Sequence, residues 1–250
     1  MSKYSEVAAQ IRSEIARGEH PRGSALPSEE RLADKYDVSR PVVNRALRLL
    51  RSEGLVRVER GRGTVVHEIP PIVRNATARY TREARERGSS RGAFATEVRE
   101  MGHEPLSVLA QLGPVIPPSS VADALRLETD EVAAIRRRHM FADEVPVQIA
   151  TSYVPWSIAQ GTPITQEDTG QGGTYSRLAD LGHPIARFTE RITVRMPEPD
   201  EVVVLRLAEE QPVYVVHHVA WTADDRPVEV TVHVMPVHQW HLEYEWEVPV

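Results

Sequence analysis

Ser39, Arg40, Asn44 and Arg45, with Pro41 and Val42 between them, hold in one short stretch the groups that tell base pairs apart. A guanidinium fork matches guanine O6 and N7, and an asparagine amide matches adenine N6 and N7. Each such bidentate pair discriminates by ~1–3 kcal/mol. Pro41 and Val42 suit a thymine methyl. Further along, Arg60-Gly61-Arg62-Gly63 sets two cations among glycines, which let a turn approach a sugar-phosphate backbone closely. Arg48 and Arg51 suit phosphates, which fix position without carrying sequence information. Together these groups point to double-stranded DNA.

Other chemistries find little support. There is no G-x-S-x-G element, no coherent triad and no carboxylate pair marked for acid–base work. Gly170-Gln171-Gly172-Gly173 lacks the Lys-Ser/Thr of a phosphate-binding loop and a preceding strand. The histidine clusters, His217-His218 and His233/His238/His241, have no metal-binding spacing, and the chain has no cysteine. Neither an enzyme, a metal nor a cofactor is expected.

The elements that must position the DNA-reading groups are legible in the same stretch. Tyr4, Val7, Ala8, Ile11 and Ile15 recur at helical spacing over 4–17, and Gly18 ends that helix. Ser28 is an N-cap for a short helix from Glu29 to Tyr36 that buries Leu32, Ala33 and Tyr36. Asp37-Val38-Ser39 is a tight turn. Ser39 then caps a second helix with Pro41 in its first turn and Val43, Ala46, Leu47 and Leu50 facing inward, until Gly54 stops it near Glu53. Two helices joined by so short a turn form a helix-turn-helix, which presents the N-terminal edge of its second helix to the major groove. Leu55–Glu59 and Thr64–His67 read as two strands around the Arg60–Gly63 turn, a wing.

Charge separates the chain into two parts. Residues 1–92 carry 19 Lys and Arg against 12 Asp and Glu, whereas residues 93–250 carry 11 against 24, within a net charge of −6. A basic front on an acidic rear suits a polyanion partner for the front alone. The N-terminus is charged throughout and has no apolar core of a secretory signal, and no stretch reaches the ~20 apolar residues of a membrane span. A cytoplasmic protein with no membrane partner is expected.

Residues 26–66, LPSEERLADKYDVSRPVVNRALRLLRSEGLVRVERGRGTVV, resemble the GntR family of bacterial regulators. The ordered set LPSE, VSR, AL, EGL and GRGT carries the likeness. It implies that Arg40 reads a base and that Gly61 and its neighbours form a minor-groove wing tip. Glu30 and Asn44 stand where the family commonly has arginine, so the resemblance implies a family-type palindrome with a sequence of its own.

Residues 69–92, with Pro70-Pro71 at one end and Gly88-Ser89-Ser90-Arg91-Gly92 at the other, read as a linker. Its arginine-rich stretch from Arg74 to Arg87 reads as a solvated helix face that could add phosphate contacts. A DNA-binding domain over 1–68 thus precedes a second domain over 93–250. Phe94–Met101 reads as a helix. Strand-like runs follow near 106–113, 132–142, 145–154, 186–195, 212–222 and 227–235, with helices near 119–126, 174–181 and 198–207. Short turns at Phe141–Pro146 and Trp221–Pro227 imply antiparallel pairing, an α+β class.

This second part resembles the UTRA ligand-binding domain of the HutC branch of that family. Arg138, Asp143 with Pro146, Ser152-Tyr153-Val154-Pro155, Tyr175, Leu178, Gly182, Glu190-Arg191-Ile192 and Arg226-Pro227-Val228-Glu229 carry the likeness. It implies a chorismate-lyase-like sheet, a homodimer, and a small-molecule effector met by Phe94, Ala95, Arg138, Tyr175, Glu190 and Glu229. Met140 and Gly173 stand where phosphosugar binders have arginine and serine, which leaves the effector open. The stretch Met235–Glu247 resembles plasmid-transfer repressors and antibiotic-biosynthesis regulators of high-GC bacteria. The expected function is a repressor of a pseudo-palindromic operator released by an effector. The alternatives are a constitutive repressor whose second domain only dimerises, or an enzyme on that scaffold.

Overall fold

The computed structural model describes residues 2–77, 79, 92–170, 172–208 and 210–246. Three helices, α1 (Lys3–Ala16), α2 (Glu29–Tyr36) and α3 (Arg40–Ser52), precede a hairpin of β1 (Val56–Glu59) and β2 (Gly63–Val66). One core holds them together: Val7, Ala8 and Ile11 of α1, Leu32 of α2, Val43, Ala46, Leu47 and Leu50 of α3, and Val56 and Val66 of the hairpin. Each buried Val or Leu contributes ~1.5–3 kcal/mol. Ser28 caps α2, accepting from the Arg31 backbone N–H at 3.3 Å. The turn into α3 passes through Asp37 at φ +50°, a left-handed conformation that aspartate tolerates.

Glu14 adds a polar bond set to this core that the apolar periodicity did not reveal. It is buried on α1 and accepts from Lys35 Nζ at 2.7 Å, Tyr36 Oη at 2.9 Å and His20 at 3.0 Å. Burial raises its carboxyl, but those three bonds prevail and hold it below the usual range.

The second part is built on a six-stranded antiparallel sheet of β4 (Pro105–Val115), β5 (Ala133–Ala142), β6 (Val145–Pro155), β7 (Arg187–Arg195), β8 (Val213–Trp221) and β9 (Pro227–Pro236). Their spatial order is β4-β5-β6-β9-β8-β7. All six strands lie where the alternating patterns place them. On one face, α5 (Ser119–Leu125) packs Val121 and Leu125 on Ile135, Tyr153, Val219 and Val230, and α8 (Pro199–Leu205) packs Leu205 on Ile149, Val215 and Val234. The other face takes α4 (Gly92–Glu100) through Phe94 and Val98, and α7 (Gly173–Asp180) through Leu178; the short α6 (Trp156–Ala159) packs beside it.

The joint between the two parts differs from a plain linker. Ile72–Asn75 forms β3, which pairs in parallel with β10 (Trp240–Glu243), Trp240 opposite Ile72 and Leu242 opposite Arg74. Arg74 is fully buried rather than on a solvated face. The Pro70-Pro71 pair lies before the strand, so it breaks no ladder bond within it. The rest of the arginine-rich segment, apart from Arg79, and Gly88–Arg91 lie outside the described residues.

Candidate nucleic-acid interface and buried polar face

Packing rotates the apolar side of α3 inward and leaves Ser39, Arg40, Pro41, Asn44 and Arg45 exposed at its N-terminal edge. Ser39 occupies the N-cap position, but its hydroxyl makes no cap bond and stays free for another partner. Val42 departs from the outward expectation. It is half-buried and packs against the domain core beside the buried Val43, as Val38 does from the turn before α3. Asn44 donates to Glu29 Oε1 at 3.1 Å, and the Arg45 guanidinium lies 4.5 Å from the Tyr4 ring centre. Both side chains are thereby held before any ligand arrives. Arg40 makes no hydrogen bond or ion pair among the described residues.

At the wing, Gly61 and Gly63 adopt φ of +83° and +82°, and a Cβ on either would meet nothing within 4 Å. The tip is therefore open to a close approach. Arg60 is exposed with no partner among the described residues. Arg62 is drawn back instead, donating to Glu59 Oε2 at 2.6 Å and to the Gly23 carbonyl at 2.8 Å. Arg57 is likewise engaged by Glu59 and Glu68.

In the second domain, register brings three of the expected effector residues to one sheet face. Arg138 on β5 lies opposite Ala150 on β6, which lies opposite His233 on β9. In the next row Arg136, Ser152, Thr231, His218 and Glu190 run across five strands. Glu229 is fully buried. Burial raises its carboxyl against the pull of the Tyr175, Ser152 and Thr231 hydroxyls and of the Arg138 charge. Arg138 makes no hydrogen bond among the described residues, and its Nε is buried without a partner. A guanidinium kept in such surroundings is a strong anion-binding group. Phe94 and Ala95 are buried on α4, with Phe94 in the cluster that covers Met140 and Ala150.

Glu190 is placed differently from that expectation. It binds both nitrogens of the buried Arg74 fork, accepts from Tyr244 Oη at 2.8 Å and pairs with His218 Nδ1 at 3.0 Å. These bonds occupy the roughly four lone-pair positions of a carboxylate, so Glu190 anchors the β3–β10 joint to the sheet. Burial pushes its carboxyl up, but His218 and Arg74 together hold it far below the usual range.

His233 and Gln148 were not among the expected site residues. They bond to each other at 3.0 Å, and His233 Nε2 and Gln148 Oε1 are buried without partners. Burial holds His233 well below its usual value and therefore neutral at pH 7. A signal was present on β9, where Glu229, Thr231 and His233 alternate with Val230, Val232 and Val234: one apolar face and one polar face that is nonetheless covered. Among the described residues, no group of histidine and carboxylate side chains could hold a metal ion, and no helix is long and apolar enough to cross a membrane.

Comparison with known proteins agrees with both parts. Residues 3–66 match the gntR family of bacterial regulatory proteins, and residues 100–240 match the UTRA domain. An uncharacterized HTH-type transcriptional regulator of Streptomyces coelicolor, SCO4628, is 30% identical over 99% of this chain and 93% of its own length. The HTH-type transcriptional regulator GgaR of Escherichia coli is 26% identical over 92% of this chain and 85% of its own. PhnF from Mycobacterium smegmatis shares the fold, with a TM-score of 0.60 at 20% identity over 97% of this chain and all of that one. With a helix-turn-helix edge left open in the first domain and a covered polar face in the second, this chain belongs to the GntR family of bacterial transcriptional regulators and carries a UTRA domain.

Proposed function

We propose that the protein is a cytoplasmic repressor that binds a pseudo-palindromic double-stranded operator as a homodimer and is released by a small-molecule effector. The observation that carries the DNA side is Arg40, with no partner among the described residues, at the exposed N-terminal edge of α3, in one domain with the open Gly61–Gly63 tip. Each α3 edge reads one half-site, the two lying about one helical turn, ~34–36 Å, apart. Arg40 supplies the base contact with Asn44 and Arg45 beside it, while Ser39, Pro41 and Arg60 fix the approach and Arg62 braces the wing through Glu59 and Gly23.

The effector enters the covered polar face of the UTRA domain, where Arg138, Tyr175 and Glu229 converge and Phe94 and Ala95 close the apolar side. Arg138, whose Nε is buried without a partner among the described residues, favours a ligand with an anionic group. Met140 beside it, in place of a second cation, favours one carrying less charge than a phosphate dianion. Coupling of ~1–3 kcal/mol between the sites is reciprocal: DNA weakens effector binding by the factor by which effector weakens DNA binding.

Selection of duplexes from a random pool by the purified full-length protein, followed by footprinting, tests this reading. An inverted repeat protected against scrambled competitor at about 0.15 M salt is expected. Equal affinity for scrambled and selected duplexes refutes it.

A further inference from the structure

We propose that Gln211 and His238 of the second domain are positioning residues for DNA recognition: they grip the C-terminal end of α3 and hold the DNA-binding domain at a fixed attitude. Gln211 is buried in the turn before β8, and both ends of its amide are committed. Its Oε1 accepts from the Ala208 backbone N–H at 2.8 Å, and its Nε2 donates to the Arg51 carbonyl at 2.8 Å. That carbonyl lies in the last turn of α3 and also accepts the Gly54 backbone N–H at 2.9 Å. A side chain from the other domain thus adds a second bond at the C-terminal end of the recognition helix.

His238 makes the second grip. Gly54 ends α3 at φ +71°, and a Cβ there would lie 1.9 Å from His238 Cγ and 2.3 Å from His238 Cβ, far inside contact distance. Glycine is required for the space as well as for the turn. The same ring meets His67, at the base of the wing, edge-on at 5.4 Å, and Gln239 Nε2 lies 3.3 Å from His67 Nε2. The two grips are tied to each other, since the Val237 backbone N–H donates to the Pro212 carbonyl at 3.1 Å.

The location suits positioning. All of these contacts fall at the end of α3 away from Arg40, so the recognition edge stays uncovered. Thirteen residues of helix span about 20 Å. A tilt of roughly 10° about the grip therefore moves the Arg40 end by roughly 3 Å, close to one base-pair step. His238 also follows β9 directly, the strand that carries Glu229 and His233, so the polar face and the grip share one continuous strand.

The test rests on the two-fold reading of the operator and is built to separate the two. Full-length wild-type protein selects its own inverted-repeat duplex, and affinity is compared with the same duplex lengthened between half-sites by half a turn, about 5 base pairs. In the Gln211→Ala/His238→Ala double variant the preference for the native spacing is expected to fall about tenfold, with affinity for a single half-site unchanged. Full retention of the spacing preference overturns the proposal.

A Gly54→Ala, His238→Gly cycle gives a second readout on the selected duplex, because the His238 Cβ alone would lie 2.3 Å from a Cβ at position 54. Gly54→Ala is expected to weaken binding strongly in the wild-type background and much less in the His238→Gly background, where only the cost of the positive φ is left. Equal effects in both backgrounds overturn the grip. If wild type ignores spacing while the cycle is coupled, the two-fold reading falls and the grip stands.

Discussion

Lowering the pH from 7 to 5 is expected to loosen the contact between the two domains, through His238. Burial, followed by the His67 charge, pushes the His238 imidazole down to about 3. In the unfolded chain it returns to an ordinary value near ~6.5. The folded form therefore binds its proton more weakly. Between pH ~6.5 and about 3 the unfolded chain holds the extra proton, so this contribution to stability is complete above that window and is lost as pH falls through it. At pH 5 the unfolded side chain lies about 1.5 units below its midpoint, which amounts to ~2 kcal/mol. His67 is lowered by its own burial and acts in the same direction, so the His238 share must be isolated by substitution. Urea unfolding at closely spaced pH values, for wild type and for His238→Asn, measures it: the variant is expected to lose ~2 kcal/mol less between pH 7 and pH 5. The imidazole shifts followed by NMR give the value directly. A His238 midpoint near 6.5, or an unchanged slope in the asparagine variant, refutes the reasoning.

Two further predictions come from the same structure. Arg40→Ala is expected to relax specificity at one base of each half-site at a cost of ~1–3 kcal/mol, whereas Arg60→Ala weakens all duplexes alike and lowers the salt slope by about 1. Binding titrations at several salt concentrations check this, and equal loss on selected and random DNA in the Arg40 variant contradicts the assignment. Glu190→Ala leaves the Arg74 guanidinium buried beside an empty position, so a loss of ~3–5 kcal/mol in urea unfolding is expected. A loss under ~1 kcal/mol shows that water replaces the carboxylate freely.

Much of this was readable from residue order. The helix-turn-helix followed from local signals: Ser28 before two acids, Asp37 in the turn, Pro41 in the first turn of α3, and glycines at the stops. The six strands followed from alternation and short turns. What escaped was long-range. Ile72–Asn75 is too short and too near a proline pair to stand out, and only Trp240–Glu243, far along the chain, makes it a strand. Val42 lies on the boundary between groove side and core side, where spacing alone does not choose. Glu190 matched a ligand position by resemblance, but the partner that claims it, Arg74, sits more than 100 residues earlier. Gln211 looked like any polar loop residue until the fold carried it to the carbonyl of Arg51. The role of Arg62 turned on a carbonyl at Gly23 that no local pattern predicts.

The parallel pairing of β3 with β10 sets an order of events at the ribosome. β3 is made well before its partner, since Trp240 follows Ile72 by 168 residues. The first domain draws its core from α1 to β2 alone and can fold while the rest is still being synthesised. Arg74 has to wait for both Glu190 and β10 before its charge is enclosed, and the turn that bears His238 emerges just ahead of that strand. A nascent chain therefore exposes a finished DNA-reading head well before anything can set its angle. Fixed geometry, and any response of that geometry to a metabolite, arrives only once β10 has been made.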